Sequence, residues 1–303
     1  LLAGRALSAL ATELAGRLEP APVAAPRQAE ELLDLICVTR PYLSLGELRI
    51  EGDRVLATVV PDLLDQREVA PGEVGRHLAI LGSLACARLW PQTGRHAWPV
   101  ATSTLHLDQA PALPTGTALR AEASVLSLDP LAGRAEAQAS LYTPDGRRIG
   151  QLRVGFHVLP YQGFLAMFGE RQQPTAEGGP SPYTKPTARP PGSWAEGSFT
   201  RRLPVVQAAD CAGHFAGLPA LPVSILGRAV QHAVLDGMAA AGLDVERARV
   251  VQAELSTQRF AWAGEQVELR ARPVGEDLCG AWSCEARIVG AAEAGAEEEE
   301  EEE

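Results

Sequence analysis

Lysine is almost absent from this chain: Lys185 is the only one, and every other basic residue is arginine. With abundant alanine, glycine and proline, that skew reads as the coding bias of a GC-rich genome, so the arginines do not by themselves point to nucleic acid. No apolar run is long enough to cross a bilayer, and the first residues lack the basic start and small-residue cleavage pattern of a signal peptide. Membrane-spanning and secreted classes are set aside, and a cytoplasmic location is the default expectation. Cysteine is sparse and odd in number: Cys37, Cys86, Cys211, Cys279 and Cys284 lack the paired spacing of a metal site. Free thiols in a reducing compartment are expected and no metal, although Cys211, three residues from His214, is placed to line a pocket with it. The chain also opens on Leu1 in place of methionine, which suggests a processed piece or one domain set of a multienzyme.

What is present fits a globular protein. Hydrophobic residues make up 46% and charged residues 21% of 303 residues, a length that suggests two domains each able to bury a core. The formal charge of −11 is misleading, because Glu293 and the glutamate run 297–303 supply eight negative charges and leave about −3 for the rest.

Along the chain, residues 1–18 read as an amphipathic helix and 19–26 as a Pro/Ala linker, so 1–29 is set apart. A first domain over 30–168 carries a short helix at 28–38, strands at 47–51 and 54–60 joined by Gly52-Asp53, and a helix at 73–90 entered through Pro71-Gly72. Strands at 100–107, 118–128, 135–142 and 149–159 follow. Residues 169–197 are rich in proline, glycine, serine and threonine and read as a linker. A second domain over 198–290 repeats the order: a strand at 199–206, a turn, a helix at 223–241, and strands at 249–256, 266–272 and 281–289. It lacks a counterpart to the strand at 149–159, and the two halves look like a divergent duplication. The tail, 291–303, cannot pack and is given no catalytic role.

The turn between strand and helix in the second half, Gly213-His214-Phe215-Ala216-Gly217-Leu218-Pro219-Ala220-Leu221-Pro222, places one histidine on a glycine- and proline-shaped loop before an apolar helix. An imidazole held there is suited to acid/base work. This string and the helix after it resemble the hotdog-fold 3-hydroxyacyl-acyl-carrier-protein dehydratases, over about twenty residues. The chain departs from their pattern at Ala216 (proline in the family), Val223 (glycine) and Arg228 (the catalytic glutamate). The first-half helix around Gly75 to Ala85 is loosely similar to hotdog acyl-CoA thioesterases.

The resemblance implies an α+β double hotdog, two central helices each wrapped by an antiparallel sheet, with sites between the halves. Aligning Pro71-Gly72 with Pro222-Val223 puts His77 at the glutamate position and Leu63 at the histidine position of the first half. One composite site, Leu63 with Arg228, has no base, and Asp62 and Asp65 beside it read as turn residues. The other pairs His214 with His77 as acid/base groups, and helix N-terminal amides near Gly72 or Val223 would polarise a thioester carbonyl. Gly217 and Arg228 complete the substrate-binding set. The alternatives stay open: His77 as a structural helix histidine, and Glu73 as a helix-start carboxylate that can also stand in as the acid. Ser83, His96, His106, His157 and His232 have no motif around them.

The function implied is dehydration of a 3-hydroxyacyl thioester in fatty-acid-like or polyketide-like biosynthesis, without metal or redox cofactor, the substrate riding on the phosphopantetheine of acyl carrier protein or on CoA. An acyl thioesterase is the first alternative, and an inactive pseudo-dehydratase serving as acyl-binding or structural partner in a synthase is the second. Other synthase domains and a second copy of the chain are candidate partners; nucleic acid and membrane are not.

Overall fold

The computed structural model describes residues 29–62, 64–65, 68–109, 112–173, 181–215, 217–246, 248–275, 278 and 280–289. The helix expected over 1–18, the glutamate tail, Leu63, Ala216 and Cys279 lie outside them. Chain order begins with α1 (Ala29–Leu32), β1 (Leu45–Glu51), β2 (Arg54–Val59), the small hairpin β3 (Leu64–Asp65) and β4 (Glu68–Val69), and helix α2 (Pro71–Leu89). Then come β5 (His96–Ala97), β6 (Val100–Leu107), β7 (Leu119–Asp129), β8 (Arg134–Tyr142), β9 (Arg148–His157), β10 (Leu159–Pro160) and α3 (Tyr161–Phe168). The second half holds β11 (Ser193–Ala195), β12 (Ser198–Arg202), α4 (Val223–Ala240), β13 (Gln252–Ser256), β14 (Gln266–Pro273) and β15 (Trp282–Val289).

Small residues let α2 lie close inside its sheet. The inward positions of β7 and β8 are Ala121, Ala123, Ala135, Ala137 and Ala139, all buried, and Gly82 of α2 sits over them. A β-carbon at Gly82 would stand 3.2 Å from both Ala137 and Val154. The strands run β1-β2-β7-β8-β9-β6-β13, every neighbouring pair antiparallel. A second, four-stranded sheet, β11-β12-β14-β15, packs on α4 with Phe199, Val267, Leu269 and Ala271 in its core. Among the described residues no helix is long and apolar enough to cross a membrane.

The two halves join through β13, which pairs antiparallel with β6, Gln252 opposite His106 through Ser256 opposite Thr102, on the edge of β6 away from β9. The helices α2 and α4 also pack on one another, with Ile225 of α4 against both cores.

Three sequence expectations are corrected. The helix over 28–38 is only Ala29–Leu32 with a 3-10 turn to Leu35, because Ile36 turns extended and bridges His96. The strand over 199–206 ends at Arg202, since Pro204 has no N–H to continue the ladder. The stretch 169–197 carries more structure than a linker: β11 adds to the second sheet, and Tyr183 is fully buried in the first core. Its proline content hides a side chain that the core absorbs.

Candidate functional site

The first turn of α2 builds a buried charged cluster. Ala70 provides no side-chain cap, and Glu73, which the sequence allows as a helix-start carboxylate, turns into the protein. Its Oε2 accepts from the backbone N–H of Asp62 at 3.1 Å and from Arg76 Nη2 at 3.0 Å, and lies 3.5 Å from His77 Nε2. The i, i+3, i+4 spacing places all three side chains on one helix face. Arg76 Nη2 also donates to Asp62 Oδ2.

Hydrogen counting fixes the histidine. Nη2 of Arg76 carries two hydrogens, taken by Asp62 and Glu73, so none is left for His77 Nε2 at 3.3 Å. His77 therefore carries its proton on Nε2, facing Glu73, and Nδ1 is a lone pair with no partner. Burial pushes the His77 pKa down, more than Glu73 restores it, and the ring is neutral at pH 7. Burial alone would raise the Glu73 carboxyl, but the His77 hydrogen bond and the charges of Arg76 and Arg228 together hold it below the usual carboxylate value. Glu73 is thus ionised, and its Oε1 has no partner.

The opposing helix closes this cluster. Gly72 lies where α2 crosses α4: a β-carbon there would sit 2.5 Å from the Ser224 carbonyl oxygen and 2.9 Å from Arg228 Cγ. The role visible for Gly72 is close approach of the helices. Gly72→Ala must push the helices apart and is expected to lower stability by about 1–3 kcal/mol, read by urea unfolding. A variant as stable as wild type would show that the crossing yields freely. Val223 is the first residue of α4 after Pro222, and Arg228, one and a half turns on, is buried in the seam.

His214 sits on the other wall. Gly213 has φ +78°, and a β-carbon there would lie 2.4 Å from the Thr39 carbonyl oxygen, so only glycine fits; the Gly213 carbonyl in turn accepts from Thr39 N–H at 2.8 Å. His214 Nδ1 lies 2.9 Å from the Ala220 carbonyl. A carbonyl can only accept, so Nδ1 carries the hydrogen and Nε2 presents a lone pair. The ring packs on Phe215 at 4.3 Å and Tyr42 at 4.8 Å between centroids, and burial pushes its pKa down to about 4. Gly217, also at positive φ, accepts from Gln173 N–H and ties the turn to the end of the first half. Cys211 is a free buried thiol whose Sγ faces the Gln207 carbonyl, its pKa pushed up to about 12 by burial.

Two tyrosines that no sequence motif marks join the walls. Tyr42 stacks on His214 and lies 5.9 Å from the Arg76 guanidinium; Tyr183 lies 4.5 Å from it and donates to the Ala212 carbonyl at 2.8 Å. The described contacts of His77 are Glu73 and Arg76, and those of His214 are Ala220, Tyr42 and Phe215, so the two histidines connect through Tyr42 and Arg76 and do not touch. Leu63, the residue set opposite Arg228, lies outside the described residues. His96 is buried against Trp90 and Trp98, and His106 lies on the β6–β13 seam.

No family model and no curated protein matches this sequence. Among solved structures the chain is similar to the PaaI protein of the E. coli phenylacetic acid degradation operon, with 11% identity over 52% of this chain and 99% of that one, at a TM-score of 0.31. A hypothetical thioesterase with coenzyme A from Streptococcus pneumoniae shares 13% over 38% of this chain and 85% of that one, at 0.32. The full-length peroxisomal multifunctional enzyme type 2 of Drosophila melanogaster shares 11% over 65% of this chain, which spans 35% of that protein, at 0.41. Likeness at this level assigns neither reaction nor substrate, and both rest on the chain's own geometry.

Proposed function

We propose that the protein is a double hotdog that removes water from a 3-hydroxyacyl thioester, carried on the phosphopantetheine of acyl carrier protein or on CoA. The double-hotdog reading is supported by the antiparallel pairing of β6 with β13, which hold the same place in the order of the two halves, and by the packing of α2 on α4. The observation that carries the reaction is the His214–Ala220 hydrogen bond, which leaves Nε2 of a buried, neutral imidazole as a base. Nε2 takes the C2 proton, the electron pair moves into the C2–C3 bond, and the C3–O bond breaks as the same proton passes to the departing hydroxyl. One residue closes the proton balance and returns to its starting state. The unpartnered acceptors Glu73 Oε1 and His77 Nδ1 would orient that hydroxyl from the opposite wall.

Thioester hydrolysis is the second reading, favoured by one observation: an ionised Glu73 with a free oxygen is equipped to take a proton from water attacking the thioester carbonyl. A single assay separates them. Incubation with a 3-hydroxyacyl-CoA, followed by mass spectrometry and thiol titration, is expected to give the enoyl thioester without free thiol. Release of CoA thiol in place of water loss assigns hydrolysis, and neither product leaves an acyl-binding protein without turnover.

A further inference from the structure

The seam between α2 and α4 holds more hydrogen-bond donors than the protein uses. Arg228 is 3% exposed, yet among the described residues no carboxylate forms an ion pair with it, and the hydrogen bond it makes there is a long 3.4 Å contact from Nη1 to the Lys185 carbonyl. Its Nε has no partner. Arg76, 1% exposed, engages its carboxylates through Nη2 alone and leaves Nε and Nη1 unpartnered. Ser224 precedes Arg228 by one helical turn, is 5% exposed, and has an unpartnered Oγ. The two helices bring these groups together: Arg228 Cγ and the Ser224 carbonyl both abut Gly72, at the start of the turn that carries Glu73 and Arg76.

An apolar acyl chain entering this seam would leave every one of those donors unmet, and a buried donor without an acceptor carries its full desolvation cost. Of the nearby acceptor oxygens, Glu73 Oε2 and Asp62 Oδ2 are engaged by Arg76, and Glu73 Oε1, although unpartnered, acts on Arg228 through its charge without forming an ion pair among the described residues. A planar, two-oxygen anion meets the requirement, because a guanidinium edge pairs with a carboxylate through two parallel hydrogen bonds. Arg228 stands where the resembling dehydratases carry a glutamate, so together with Arg76 it sets two guanidinium groups against the carboxylates Glu73 and Asp62, where a glutamate would have added a third negative charge. We propose that Arg228, Ser224 and Arg76 form a receptor for a carboxylate on the acyl group, making the substrate an acyl thioester with an anionic side group or end. This rests on the acyl-thioester reading above and narrows it.

The test is binding, without turnover. Two non-hydrolysable thioether analogues of acyl-CoA, matched in length, one ending in a carboxylate and the other in the isosteric carboxamide, are titrated into the full chain by calorimetry. The carboxylate is expected to bind roughly 10- to 100-fold more tightly. Arg228→Met is expected to abolish that preference, and Ser224→Ala, a milder change, to reduce it several-fold, with circular dichroism confirming that each variant is folded. Equal binding of both analogues to wild type overturns the carboxylate receptor and leaves the thioester reading standing. Binding of neither analogue overturns both. A preference that survives unchanged in Arg228→Met and Ser224→Ala places the carboxylate elsewhere and overturns the assignment.

Discussion

His214→Gln is expected to lower the rate of water loss by about 10²- to 10⁴-fold while leaving the protein folded. Glutamine keeps a donor for the Ala220 carbonyl but offers no basic lone pair, so the turn survives and the proton acceptor does not. A variant with wild-type turnover removes His214 from the chemistry. The same ring has a thermodynamic signature. Unfolded, it titrates near the ordinary histidine value of 6.5, and in the folded protein burial lowers this to about 4. Between those values the unfolded chain binds more protons, so wild type loses stability as pH falls from 6.5 to 4, by about 3 kcal/mol at full extent. His214→Gln should flatten that part of the stability curve, as followed by urea midpoints across the window, and the acid limb of the rate profile should lie near pH 4.

Much of the scaffold is legible in the sequence, and the reasons are local. Strands β6 to β9 show alternation with buried alanines, and turn residues at Asp145-Gly146 mark one of their boundaries, so their limits follow within one or two positions. The glycine of the motif turn is legible too, because a strained loop before a buried helix requires it. The partner of β13 is not. Alternation marks a strand but does not say which sheet receives it, and here the free edge of β6 in the first half receives it. Tyr183 is hidden for a different reason: a stretch rich in proline and glycine carries no period, so one residue driven into the core by a 3-10 turn leaves no trace.

Glu73, Arg76 and His77 show the limit for the site. Their i, i+3, i+4 spacing predicts a shared helix face, but a carboxylate in a first helical turn normally faces water and favours the helix dipole. Only the crossing at Gly72, where α4 covers that face, converts the same three residues into a buried network. Tertiary contact thus decides whether Glu73 is a capping charge or a site group. The departure at Arg228 is visible in the sequence, whereas its lack of an ion-pair partner emerges only once the second helix is placed.

That network carries the second large effect. Glu73→Ala is expected to destabilise the protein by about 3–5 kcal/mol, because Arg76 stays buried after a carboxylate it pairs with is gone and Arg228 loses a nearby negative charge. Arg76→Ala alone should also be costly, leaving Glu73 ionised with only the Asp62 amide and His77 to hold it. The double variant removes both charges, so its loss should fall short of the sum by about 1–3 kcal/mol, the coupling measured by a double-mutant cycle. Simple additivity would mean that the two groups do not sense each other and that the cluster is not a unit. Acid separates this contribution from that of His214. The folded pKa of Glu73 lies below the ordinary glutamate value of 4.5, so its stabilisation is complete above that value and disappears as pH falls through the lower, folded one. His214 acts above pH 4 and Glu73 below 4.5, so a wild-type stability curve should fall in two steps, the upper lost in His214→Gln and the lower lost in Glu73→Ala.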